Sequence, residues 1–189
     1  MLEEKLQESE AKNSVLQTII DQDQEALEDI QQRSRNMNIV IRGIKEEKTE
    51  DVGDVVMHIG RQLGIDNPEN DVQICYRVPS RNKDSPRPIV VKLLNSKTRD
   101  IWIKKYKSKE LWKKKMYITE HLTPYNQNLF YHTRKLAKES GYKFAWTKDG
   151  KIYLKENEDS GVLNIKNMND HDPIIIINTK SLFLGLLNE

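Results

Sequence analysis

Residues 2–37 contain neither glycine nor proline, and their apolar side chains recur at alternating steps of four and three. From Leu2 the steps land on Leu6, Ser9, Asn13, Leu16, Ile20, Asp23, Leu27, Ile30, Ser34 and Met37, while most intervening positions are Glu, Gln, Asp, Lys or Arg. Such a repeat, sustained over about five heptads, predicts a coiled coil. Leu6, Asn13, Ile20, Leu27 and Ser34 take the a positions and the other series takes d. A polar a residue such as Asn13 fixes register and oligomer state at some cost in stability, whereas Asp23 at d has no such account. A single amphipathic helix packed on its own domain is the competing reading. Leu6, Asn13, Leu16, Ile20, Leu27 and Ile30 are the expected oligomerisation residues of a dimer or trimer.

After Arg35 the period changes. Asn38-Ile39-Val40-Ile41-Arg42-Gly43-Ile44 is β-branched and ends at a glycine, which predicts a strand. Val52, Val55, Val56, Ile59 and Leu63 at helical spacing predict a helix over 51–65. Val72, Ile74, Tyr76 and Val78 alternate with Gln73, Cys75 and Arg77, a half-buried strand ended by Pro79. A polar loop over 80–88, a strand over 89–94, a helix over 96–107 and a strand over 116–122 complete the order βαββαβ. That order predicts a ferredoxin-like, RRM-like domain. Thr123-Pro124 reads as an N-cap followed by proline at the first helical position, and Gly141 as the stop. Leu129, Phe130, Leu136 and Ala137 would form the buried stripe of this helix, and Arg134, Lys135 and Lys138 its polar side. Asp149-Gly150 predicts a two-residue hairpin turn, and Val162 to Ile165 a further strand. The fold class is therefore α+β, divided as a coiled-coil helix (1–36), an RRM-like domain (37–122), a small helix-plus-hairpin domain (123–168) and an apolar tail (169–189).

Alternation assigns the faces. If Ile39 and Ile41 point to the core, Val40 and Arg42 point away from it, together with Arg77 and Lys92. These cations, with Arg81, Lys83 and Arg87 of the loop, form a candidate phosphate track. The first and third strands lack the aromatics on which RRM sheets stack bases, so binding should draw on charge and on another surface. The hairpin offers one. A two-residue turn pairs Lys148 with Lys151, Trp146 with Tyr153 and Phe144 with Lys155. One face then carries aromatics interleaved with lysines, suited to stacking bases while neutralising phosphates. A one-residue slip would instead send Phe144 and Trp146 into the core.

Charge sharpens this picture. The net charge of +2 sums opposed blocks: −5 over residues 1–35, −4 over 36–76, +15 over 77–155 and −4 over 156–189. Lys104, Lys105, Lys107, Lys109, Lys113, Lys114 and Lys115 crowd into twelve residues with one acid, Glu110. Counterion release favours such a cluster on phosphate, with nuclear localisation or a membrane surface as competing uses. No run approaches the roughly 18 apolar residues of a membrane span, and the acidic start does not resemble a signal peptide. Cys75, the lone cysteine, has no intramolecular disulfide partner, which suits the cytosol or nucleus. No metal spacing, phosphate-cradling loop or catalytic grouping stands out around Cys75, His121 and His132, so no enzyme activity, metal or cofactor is expected.

The segments Asn38–Ile44, Tyr76–Arg81, Tyr117–Pro124 and Trp146–Ile152 together resemble the FP (few-polyhedra) protein family of baculoviruses and related insect and mobile-element proteins. The layout of coiled coil, RRM-like domain and C-terminal domain also resembles the first-open-reading-frame RNA-binding protein of LINE retrotransposons. The likeness covers about residues 1–168. It implies oligomerisation, trimeric in the retrotransposon proteins, and single-stranded RNA or DNA binding between the two domains with chaperone-like activity. It also places basic contacts at Arg42, Arg77 and Arg81. The expected site adds Lys83, Arg87, Lys92, Lys104, Lys105, Lys113, Lys114, Lys115, Arg134, Lys138, Trp146, Lys148, Lys151, Tyr153 and Lys155. The leading expectation is an oligomeric, low-specificity binder of single strands, RNA favoured over DNA. The alternative is a protein-interaction scaffold acting in virion assembly or intracellular trafficking.

Overall fold

The computed structural model describes residues 2–80 and 82–171; the expectations that fall on Arg81 and on 172–189 lie outside the described residues. Helix α1 (Leu2–Arg33) forms where glycine and proline are absent, with i,i+4 ion pairs such as Glu8–Lys12 at 2.7 Å on its polar face. Its apolar stripe is bare: Leu6, Leu16, Ile20, Leu27 and Ile30 are all exposed.

The next elements are β1 (Asn38–Arg42), α2 (Val52–Gln62), β2 (Val72–Arg77), β3 (Ile89–Leu93), α3 (Ser96–Ser108) and β4 (Tyr117–Glu120). The strands form one sheet in the order β2-β3-β1-β4, antiparallel at each junction. Both helices start at side-chain caps, Asp51 Oδ1 accepting from Gly53 N and Asn95 Oδ1 from Thr98 N. They lie on one face, where Val56, Ile59, Leu63, Trp102 and Tyr106 pack on Ile39, Ile41, Ile89, Val91, Leu93 and Ile118.

Strand β2 departs from the alternation expected of it. Its register against β3 shifts between Val72, opposite Leu93, and Ile74, opposite Lys92. A bulge inserts one unpaired residue and so inverts every later side chain. Cys75 and Arg77 now sit opposite Val91 and Ile89 on the helix side. Ile74 and Tyr76 turn to the other face, 54% and 46% exposed. The flanking chain anchors the bulge: Leu94 N donates to Asp71 O, and Trp102 Nε1 donates to Asp71 Oδ2, each at 2.8 Å.

Beyond β4, Thr123 Oγ1 accepts from Asn126 N and Pro124 opens α4 (Pro124–Glu139), as the sequence predicts. Strands β5 (Phe144–Lys148), β6 (Lys151–Lys155) and β7 (Leu163–Ile165) form a second antiparallel sheet in that order. Leu129, Leu136 and Ala137 pack on Ile152, Leu154 and Ile165. Thr133 is also buried in this stripe, its hydroxyl within hydrogen-bond reach of Leu129 O and His171 Nε2, while Phe130 is only half-buried.

Two buried polar side chains join these parts. Gln32, in the last turn of α1, accepts from Thr123 N and Asn126 Nδ2 through Oε1 and donates to Asn36 Oδ1 and His121 O through Nε2. A β-carbon on Gly150 would collide with this side chain, so the β5–β6 turn needs glycine there for close approach as well as for its φ of +76°. Arg99, in the first turn of α3, donates from Nη2 to Asp149 Oδ1 at 2.6 Å and from Nη1 to Asn36 O at 2.6 Å. Glu120 Oε1 lies 3.5 Å from Arg99 Nη1 and accepts from Asp149 N at 2.8 Å. The root of α1, the end of β4 and the hairpin turn thus meet at one point.

Candidate nucleic-acid interface

The β5–β6 hairpin takes the register that a two-residue Asp149-Gly150 turn demands. Phe144 pairs with Lys155, Trp146 with Tyr153 and Lys148 with Lys151, and both turn residues have positive φ, at 54° and 76°, as a type I′ turn requires. Because Ala145, Ile152 and Leu154 face α4, the alternate residues face away from it. Trp146 and Tyr153 stack on each other, centroids 5.5 Å apart and planes inclined by 23°. The slipped register that would bury Phe144 and Trp146 does not occur. Lys148 and Lys151 are exposed at the turn, and Lys155 is half-buried with Nζ donating to Glu158 O. Lys143 Nζ sits 5.4 Å from the Phe144 ring centroid. The result is a two-stranded plate of rings edged by ammonium groups.

Residues 123–181 match baculovirus FP protein domain 2. The FP match opens at Thr123, the cap of α4, and takes in the whole second sheet and hairpin. It supports the FP family for this part of the chain and is consistent with a viral protein. It also runs to residue 181, past the limit near 168 expected from the sequence. No curated protein matches the chain.

The lysine cluster lies on α3 and the connection to β4. Lys104, Lys107, Lys109, Lys114 and Lys115 are exposed; Lys105 Nζ donates to Gly64 O and Lys113 pairs with Glu110. Glu110 and Lys115, on either side of a 3-10 turn over Leu111–Lys114, hold φ of 49° and 61°. That backbone is costly for non-glycine residues, and the burial of Leu111 and the Tyr106 Oη bond to Met116 O hold it in place. Lys115 O packs so close to Gly43 that a β-carbon there would clash, which sets this corner of lysines beside the end of β1. Lys83 is exposed in the β2–β3 loop, and Arg134 and Lys138 are exposed on α4, with Arg134 over the Phe130 ring at 5.8 Å.

The arginines divide. Arg77 was expected on the open face; the β2 bulge turns it to the helix side, where its side chain is 3% exposed. It donates to Glu50 Oε1 at 2.5 Å and Oε2 at 2.9 Å, and to the carbonyls of Ile44, Lys45 and Arg87. These bonds hold Glu50 below the usual carboxylate range. Arg77 is therefore a clamp between two loops and is shielded from solvent phosphate. Arg87 is half-exposed and paired with Glu46 at 2.9 Å. Arg42 and Lys92 do lie on the helix-free face. Among the described residues Arg42 donates only to Thr119 Oγ1, at 3.0 Å, and Lys92 has no ion-pair partner. Burial pulls Arg42 below its ordinary pKa. His121 is held down by burial, then by Arg35 and Arg42.

Sequence reasoning missed two kinds of residue. Gln32 and Arg99, which no sequence pattern singles out, fix the hairpin against the first sheet. Tyr76 was assigned to the interior, yet the bulge exposes it; Tyr117, opposite Arg42 on β4, is 46% exposed on the same face. Among the described residues there is no group of His, Cys, Asp and Glu placed to hold a metal, and no helix is long and apolar enough to cross a membrane.

Proposed function

We propose that this chain is an oligomeric, non-enzymatic protein that coats single-stranded nucleic acid, RNA in preference to DNA, with little sequence discrimination. The observation that carries the reading is the outward hairpin face of Phe144, Trp146 and Tyr153 edged by Lys148, Lys151 and Lys155. Rings stack on any base and ammonium groups follow the backbone, so such a face binds strands without reading them. The β2-β3-β1-β4 sheet, with both helices on one side, is read as an RRM-like domain. The bare stripe of α1 is read as a coiled-coil seam of two or three chains. Linked heads raise avidity without new contacts and bring strands together, which supports chaperone-like activity of the kind found in LINE first-open-reading-frame proteins. A cytosolic or nuclear setting agrees with the lone thiol of Cys75.

The test is titration of the intact chain with labelled single-stranded RNA across a salt series. With 6–10 phosphates contacted, affinity should fall by about 10³–10⁵ between roughly 50 and 200 mM salt. Binding that ignores salt, or none at the lowest salt, refutes the proposal.

A further inference from the structure

The helix-free face of the first sheet carries a pattern that the alternation of the sequence conceals. At its centre Val40 pairs with Val90, both buried although they point away from the helical core. Tyr76 lies opposite Val90 on one edge strand, and Tyr117 lies opposite Arg42 on the other edge. Each tyrosine is 46% exposed, and Ile74 beside Tyr76 is 54% exposed. Arg42 and Lys92 supply the charge, and no strand position on this face carries a carboxylate. Glu120, the one acid of β4, sits beside Ile39 and faces Arg99 instead.

We infer that this face is a second base-stacking surface, on which Tyr76 and Tyr117 each take a nucleobase of one single strand while Arg42 and Lys92 neutralise phosphates between them. The inference rests on the nucleic-acid reading above and adds a site on a different sheet. The tyrosines stand on opposite edge strands, three strand intervals or roughly 14 Å apart across the sheet, and two residues or roughly 7 Å out of line along it, so intervening nucleotides cross the valine centre. Charge decides the occupant. A face with exposed rings, two cations without a carboxylate partner and no acid suits a polyanion with flat apolar faces. Two such faces on one another would bring like charges together. The β2 bulge creates the site, since without it Tyr76 points into the core and Arg77 takes the open face.

The experiment titrates the full chain with a fluorescein-labelled oligouridylate at low salt. Tyr76→Leu with Tyr117→Leu keeps apolar bulk and removes the rings; Tyr76→Phe with Tyr117→Phe keeps the rings. The leucine pair should bind about tenfold more weakly per ring lost, the equivalent of about 1.4 kcal/mol each, and the phenylalanine pair should bind like the parent. Bromouridine photocrosslinking of the unaltered protein should give adducts at Tyr76 or Tyr117 as well as on the hairpin, whether or not the leucine pair folds. Adducts confined to the hairpin, or a leucine pair of parental affinity, overturn the inference. So does a leucine pair that loses mass in light scattering at unchanged affinity, because the face would then join copies of the chain. An unaltered protein that binds no oligouridylate at all removes the nucleic-acid reading itself.

Discussion

Arg99→Ala should destabilise the protein by about 3–5 kcal/mol, the usual cost of removing one partner of a buried ion pair. The side chain is 1% exposed and faces Glu120, 8% exposed, at 3.5 Å. At an effective dielectric near 20 that separation corresponds to about 5 kcal/mol of attraction, offset by the burial of both charges. Asp100 and Asp149 are half-exposed, so each adds only about 0–1 kcal/mol. Burial opposes the guanidinium charge, yet the bonds to Asp149 and Asp100 and the charge of Glu120 keep its pKa above the ordinary value. Removing it leaves Glu120 buried without a cation and Asn36 O without its donor. The loss is large beside a typical total of about 5–15 kcal/mol. Urea unfolding of the full chain, at one protein concentration because the proposed assembly would contribute to stability, should show a lower midpoint at an unchanged slope. Hydrogen exchange should quicken first at the Asp149 amide. Arg99→Met with Glu120→Gln removes both charges while leaving an acceptor for that amide, and should recover most of the loss. A single variant within 1 kcal/mol of the parent, or a double variant no better than the single, refutes the reasoning.

Further outcomes follow from the same geometry. Ile20→Glu puts a carboxylate on the bare seam of α1 and should reduce the mass seen by light scattering to that of one chain, with the melting of the head unchanged; undiminished mass argues against pairing. Lys148→Ala with Lys151→Ala should weaken RNA binding uniformly across sequences and lower the salt slope by about two. Arg77's hydrogen bonds, against burial, hold Glu50 below its ordinary 4.5. Its stabilisation is complete above about pH 4.5 and is lost as pH falls through the lower folded value, so Glu50→Gln should flatten that limb of the stability curve. His121 is depressed below 6.5, so the unfolded chain takes the proton first and stability should fall as pH drops from 6.5; His121→Gln should abolish that slope.

What the sequence conveyed depended on how local the determinant was. The hairpin register follows from two residues, because Asp149 and Gly150 must both adopt positive φ and pairing then proceeds outward. The start of α4 follows from Thr123 and Pro124 alone. The faces of β2 were not legible, since a bulge at residue 73 leaves no compositional trace and depends on Asp71 meeting Trp102 thirty-one residues away. Val72, Ile74 and Tyr76 alternate perfectly and still point to different faces. Gln32 and Arg99 escaped for the same reason. Their burial is a property of three elements meeting, while each residue taken locally sits in a polar helix turn. The candidate site was accordingly half visible: its hairpin was readable, and its tyrosines on the first sheet were not.

Helix α1 runs unbroken from its bare seam to Gln32, so in the proposed oligomer seam and head share one rotational phase. Each residue of helix advances 1.5 Å and turns about 100°. One residue inserted between Asp23 and Leu27 would swing every head by about 100° around the stalk without touching a head contact. Seven would restore the facing to within about 20°. In that proposed oligomer the spacing between stalk and head would set the directions in which the heads present their candidate binding faces.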